Sequence, residues 1–270
     1  MSRLEALLRE VQSLETIAEQ STWLSRIDPR AAIIVTAAFI LVVVSFDRYV
    51  VAALLPMAIF PVVLARLGNV SLQRIGSKVL LAMPFATMVG LFNPVFDTAA
   101  RMDLLGHAVS GGWLSLISIL LRAALTVAAA LILVNVVGIY RLCAALDRMG
   151  IPSVLTIQLT MMFRYILTLS GELVRMNLAR ELRSYSSKPM SLAVYGPLLG
   201  HLMLRTLERA QRIHQAMLSR GFDGHLTVRH TQSWQWVDTV FLTFCLSAII
   251  LLRTTDLATS LGHLMLDIAL

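Results

Sequence analysis

The chain has 270 residues, of which 57% are hydrophobic and 14% charged, with a mean hydropathy of +0.75 and a net charge of +7. Soluble domains carry about a quarter charged residues, so this composition excludes an ordinary soluble globular protein. A helix needs roughly 20 apolar residues to cross the hydrocarbon of a bilayer, with about 17 as a lower limit, and several runs come close to that length.

Residues 1–30 open with Met1-Ser2-Arg3-Leu4-Glu5 and continue with mixed charges and apolar residues at helical spacing. That pattern predicts a cytoplasmic amphipathic segment and not a cleavable signal, which would hold an unbroken apolar core. Transmembrane helices 1–4 are then expected within 31–137, over Ala31–Phe46, Tyr49–Ala65, Val79–Phe96 and Trp113–Val137. Pro84 and the pair Asn93-Pro94 should kink or terminate the third, because proline removes a backbone donor. Residues 138–233 form a basic block, and 234–270 hold the last span, Trp236–Leu252, with a short external tail. The predicted fold is therefore all-α: a polytopic membrane protein with about five transmembrane helices and a cytoplasmic helical domain.

Charge sets the expected orientation. Residues 138–233 contain twelve Lys and Arg against five Asp and Glu, whereas the rest of the chain holds eleven of each sign. Lys and Arg concentrate in cytoplasmic loops, which places this block, the N-terminus (Arg3, Arg9, Arg26, Arg30) and the loop bearing Arg66, Arg74 and Lys78 inside. Arg48 and Arg101, with Asp97 and Asp103, fall in weakly charged outer loops. Trp234 and Trp236 open the last span, where amphipathic aromatics favour the interface. Within the block the arginines alternate with apolar residues at helical spacing and no aromatic platform accompanies them, which argues against nucleic acid and is compatible with contact to the lipid membrane.

The block predicts two long helices. Ile151-Pro152-Ser153 is a helix start, and the pattern from Val154 meets no breaker until Arg183. Ile151–Phe163 offers only thirteen uncharged residues before Arg164, too few to span. Ser184 through Pro189 supplies turn residues. A second helix follows from about Met190 to Ser219. Met203, Leu207, Ala210, Ile213 and Met217 make one apolar stripe on it, while Arg205, Glu208, Arg209 and Arg212 lie on another face. Gly221 stands at a natural C′ position, with Asp223-Gly224 completing the turn. Each helix thus ends in an arginine followed by a small residue: Leu182-Arg183-Ser184 and Ser219-Arg220-Gly221. Each arginine would also complement its helix dipole, worth about 0.3–1 kcal/mol.

Other chemistry is sparse. Cys143 and Cys245 sit in different kinds of segment and are expected to be free thiols. No Gly-x-x-x-x-Gly-Lys-Ser/Thr loop occurs, so the chain is not a nucleotide hydrolase of that type. His107, His201, His214, His225, His230 and His263 are scattered, with no His-x-x-x-His or Cys-x-x-Cys spacing, so no metal site is expected. Arg122 is the only charge deep in a span; it either carries a function or pairs with a carboxylate such as Asp97 or Asp103. The methionines of the basic block (Met161, Met162, Met176, Met203, Met217) suit a surface that repacks against a partner.

Several segments resemble the transmembrane T component of energy-coupling factor transporters, most closely its CbiQ cobalt-transport branch. They are Ser25-Arg26-Ile27-Asp28-Pro29-Arg30, Leu91-Phe92-Asn93-Pro94, Leu146 to Pro152, Phe163-Arg164-Tyr165-Ile166, and Glu208-Arg209-Ala210-Gln211-Arg212 continuing through Ala216 to Gly224. The resemblance covers nearly the whole chain. It implies a scaffold and not an enzyme, with no cofactor of its own. Two coupling helices end in Ala-Arg-Gly-like motifs that dock into two ABC-type ATPase subunits, which bind the ATP. A separate small membrane subunit captures the substrate, here a cobalt ion. Leu182, Arg183 and Ser184 would form the first motif and Ser219, Arg220 and Gly221 the second, supported by Arg164, Glu208, Arg209, Arg212, Phe222 and Asp223. Both motifs depart from Ala-Arg-Gly at the first position, and the first has Ser in place of Gly. The alternative is a self-sufficient permease or channel with a basic regulatory domain, which should show broken helices or paired charges at the midplane of related halves.

Overall fold

A computed structural model describes residues 23–47, 51–96, 100–104, 107–183, 192–224 and 234–254. The N-terminal segment up to residue 22, Ser184 with the predicted turn after it, and the tail beyond Thr254 lie outside the described residues. The fold is helical. In chain order it comprises α1 (Pro29–Val44), α2 (Ile59–Leu67), α3 (Leu72–Gly90), the short α4 (Asn93–Phe96), α5 (Gly111–Val137), α6 (Ile139–Arg148), α7 (Ser153–Arg183), α8 (Leu192–Leu218) and α9 (Trp236–Thr254). One small antiparallel hairpin, β1 (Ala100–Leu104) with β2 (His107–Ser110), stands in the loop before α5. The chain divides into two compact units, after Gly138 and again before Gln232.

The first unit packs α1, α2, α5 and α9. Ala31, Val35, Phe39 and Val43 recur every fourth residue along α1 and are fully or almost fully buried, because residues four apart share a helix face. Leu125, Ala129, Ile132 and Val136 make the matching stripe on α5, and Phe241, Cys245 and Ile249 that on α9. The Phe39 and Phe60 rings stack with centroids 4.6 Å apart. In a bilayer this close packing, and not removal of apolar surface from water, holds helices together.

Three described helices are long and apolar enough to cross a membrane: α5, α7 over Ser153–Arg180, and α9. Two shorter apolar stretches, Pro29–Val44 and Ala52–Leu67, accompany them. Three described helices thus qualify by length and composition, so the expected count of about five is not confirmed. The sixteen residues of α1 rise about 24 Å, short of the roughly 30 Å hydrocarbon core. The second expected span is broken near Pro56 into two 3₁₀ turns, Ala52–Leu54 and Pro56–Ala58, before α2, since proline cannot donate the helical bond. The third begins earlier than expected, so α3 takes in Arg74 and Lys78, tolerates Pro84 internally, and stops at Gly90. Conversely α7 qualifies because its apolar pattern continues past Arg164 through Ile166, Leu167 and Leu169.

Two polar devices fix helix ends in this unit. Asn93 Nδ2 donates to Ser115 Oγ at 2.8 Å, and a Cβ on Gly112 would lie 2.5 Å from the Asn93 carbonyl oxygen, so only glycine admits this close approach of α4 to α5. At the other end, Asp28 caps α1 and Asp238 sits in the first turn of α9, the two joined by a buried hydrogen bond from Asp28 N–H to Asp238 Oδ1 at 2.8 Å.

Arg122, the deep charge of α5, donates from Nη2 to the backbone carbonyl of Asp47, just beyond the end of α1. Asp97 is outside the described residues, and the side chain of Asp103 is likewise undescribed. Replacing Arg122 with leucine is expected to remove this tie and lower the yield of folded, monodisperse protein in detergent before any change in transport. Size-exclusion profiles checked beside uptake assays would reverse this role if Arg122→Leu assembled fully and transported nothing.

Candidate functional site

The second unit contains α6, α7 and α8. Its first connection is a helix stop and restart. Gly150 adopts φ +91°, the Gly150 N–H bonds the Asp147 carbonyl at 3.1 Å, and the Ile151 N–H bonds the Leu146 carbonyl at 3.2 Å. This is the double hydrogen-bond pattern of a Schellman C-cap, which needs the left-handed conformation that glycine adopts without strain. Thr156 Oγ1 then donates to Asp147 Oδ1 at 3.1 Å, tying the start of α7 to the end of α6. Phe163 is buried and meets Tyr140 edge-on, with centroids 5.5 Å apart.

α7 has 31 residues and α8 has 27, lengths of about 46 and 40 Å at 1.5 Å per residue. An ion pair joins them: Arg209 Nη2 to Glu172 Oε1 at 3.0 Å. Beside it lies an open cleft of about 250 Å³, lined by Tyr165 and Leu169 of α7 and by Thr206, Leu207, Arg209, Ala210 and Ile213 of α8. Three of the five residues of the apolar stripe expected on the second helix, Leu207, Ala210 and Ile213, therefore face this cleft. Arg164 is exposed, with its guanidinium carbon 6.0 Å from the Tyr165 ring centroid. Glu208 and Arg212 are exposed on α8.

The two arginine tips are built differently. Arg183 is the last residue of α7, exposed and preceded by Leu182, which is 80% exposed. Ser184 is outside the described residues. Arg220 lies two residues beyond the end of α8, within a second Schellman turn. There the Gly221 N–H bonds the Leu218 carbonyl and the Phe222 N–H bonds the Met217 carbonyl, each at 3.0 Å. Gly221 has φ +78°. Ser219 Oγ donates to the Gln215 carbonyl at 2.9 Å. Ser219, Arg220, Gly221 and Asp223 are exposed, Phe222 and Met217 are half-buried, and Leu218 is 53% exposed. Each tip thus presents a planar guanidinium fork, suited to bidentate pairing with a carboxylate, next to an exposed leucine.

Sequence reasoning did not single out Glu172, the cleft, or the exposed leucine Leu218. A carboxylate on a largely basic helix is the signal that could have pointed to Glu172. Among the described residues no group of three His, Cys, Asp or Glu side chains could hold a metal ion. Cys143 and Cys245 are free and buried.

Apolar helices long enough to span, joined in one chain to a separate basic helical unit, define a polytopic helical membrane protein. Residues 20–234 match the family model of the CbiQ cobalt transport protein. The chain belongs to that family and is a membrane transport protein. It is also similar to an uncharacterized protein, MJ1571, of Methanocaldococcus jannaschii, with 25% identity over 204 residues, 72% of this chain and 70% of the relative.

Proposed function

We propose that this chain is the transmembrane scaffold subunit of an energy-coupling factor importer, and that its substrate is the cobalt ion. Two ABC-type ATPase subunits dock on the arginine tips of α7 and α8. Their ATP-driven closure moves the two helices, and the helices pass that motion to a separate small membrane subunit that holds the ion. The chain itself catalyses no reaction and binds no cofactor; ATP stays with its partners. The N-terminus and the block 138–233 face the cytoplasm, and about five segments cross the inner membrane. One observation supports this reading most: two long helices of a basic unit each end in an exposed arginine beside an exposed leucine. The absence of a phosphate-binding loop agrees with a motor on another chain. The rival reading, a self-sufficient permease or channel, has Arg122 and the break near Pro56 in its favour.

Partner dependence separates the two. The chain, tagged at its N-terminus and purified gently from native membranes, is expected to bring an ATPase pair and a small membrane protein with it. In liposomes it should take up no cobalt ion alone. Recovery of the chain by itself, active for uptake, would overturn the scaffold in favour of the permease.

A further inference from the structure

We infer that the cleft between α7 and α8 is a binding site for an anionic phospholipid. Its wall is apolar over Leu169, Leu207, Ala210 and Ile213, with Tyr165 beside them, a surface that receives an acyl chain and offers a free polar solute few partners. At its edge Arg209 gives Nη2 to Glu172 at 3.0 Å, while its Nη1 is shielded from solvent and makes no hydrogen bond among the described residues. A shielded guanidinium nitrogen without an acceptor is costly, and a small turn of the Arg209 side chain, itself 38% exposed, would bring it to a phosphate oxygen at the mouth of the cleft.

The position along the helix matches the chemistry. α7 carries no charge from Ser153 to Phe163, and Arg164 is its first charged residue. Tyr165 and Leu169 follow directly, where the helix passes from this uncharged stretch to its basic C-terminal half. Headgroup contacts belong at such a transition from apolar to basic surface, and basic pockets between helices select anionic headgroups there. Arg205 and Arg212 lie four residues before and three after Arg209, on the same side of α8, and are exposed. They add positive potential beside the rim, whereas Glu172 is already engaged by Arg209.

The site is independent of ATPase docking, so it is tested on the full-length chain alone. Native mass spectrometry of the detergent-purified protein, titrated with phosphatidylglycerol and with phosphatidylcholine of the same acyl chains, reads occupancy directly. Phosphatidylglycerol is expected to be retained preferentially. Arg209→Gln should lower its occupancy about fivefold, the contribution of one basic residue near a headgroup, and Arg209→Lys should restore most of it. Ala210→Phe, which fills the apolar wall and keeps the charge, should lower occupancy by both lipids. Inorganic phosphate should not displace the lipid. Each variant is compared at a temperature where its melting matches the parent chain. Equal retention of the two lipids by the parent, retention unchanged in both Arg209→Gln and Ala210→Phe, or displacement by inorganic phosphate alone would each overturn the assignment.

Discussion

Replacing Arg183 and Arg220 together with glutamate is expected to release the ATPase subunits from the chain. Each arginine tip has the character of an interface hot spot, and its loss should weaken docking by about 2–4 kcal/mol. That corresponds to roughly thirtyfold to a thousandfold in affinity at 1.4 kcal/mol per decade. The fold should survive, since both side chains are exposed and neither supports the core. The turn that carries Arg220 is held by backbone bonds from Gly221 and Phe222, which the substitution leaves in place. Glutamate at a helix C-terminus costs about 0.3–1 kcal/mol through the dipole, so Arg→Gln at both sites is the matched control. Arg→Lys keeps the charge and loses the planar fork, and should therefore recover only part of the binding if bidentate pairing dominates. The two sites are on different helices, so their effects should add within about 0.5 kcal/mol if each meets its own ATPase. Co-purification in detergent is the measurement. A double variant that still holds both ATPases would sink the coupling role of these arginines.

The helices bearing these tips were legible because long apolar periodicity and clear breakers agree. The pattern predicts a helix from Val154 to Arg183, and α7 runs from Ser153 to Arg183. A second from about Met190 to Ser219 corresponds to α8, Leu192–Leu218. The stop at Gly221 was readable for the same reason: a glycine just past a periodic run has one favoured conformational use. The membrane unit was less legible. Hydropathy averages over a window and ignores where a missing donor falls, so Pro56 divides what reads as a span, and Asn93-Pro94 starts a new short helix instead of ending the old one. The hairpin before α5 carries no run long enough to register as strands. Side-chain pairing was least legible. Asp28 before Pro29 is a recognisable N-cap signal, yet its partner Asp238 lies 210 residues away. Periodicity places Arg209 on a basic face without saying that Glu172 of α7 would meet it.

That long-range pair supports the second large effect: Asp238→Ala should loosen α9 from α1. The Asp238 carboxylate accepts two backbone donors, the Asp28 N–H on Oδ1 at 2.8 Å and the Gln235 N–H on Oδ2 at 2.7 Å. The second is half of a capping box for α9. Asp28 in turn accepts from Arg30 N at 2.9 Å, Nε at 3.1 Å and Nη2 at 2.9 Å, and the Arg30 guanidinium lies 5.3 Å from the Trp234 ring centroid. Both aspartates are at most 3% exposed, so water cannot readily replace a lost acceptor. A buried donor left unpaired costs about 1–3 kcal/mol, and loss of a cap costs about 1 kcal/mol. The alanine variant should therefore lose on the order of 3 kcal/mol, and Asp238→Asn, which keeps one acceptor oxygen, about half of that. Cys245 gives the readout, because it is buried on α9 in the core this pair closes. In a Cys143→Ala background, maleimide labelling of Cys245 follows the population of the opened state. Its rate should rise about a hundredfold in Asp238→Ala and about tenfold in Asp238→Asn at 1.4 kcal/mol per decade. Labelling no faster than in the parent chain would mean that α9 is held by its apolar stripe alone, and that the two aspartates orient helix ends without fastening them.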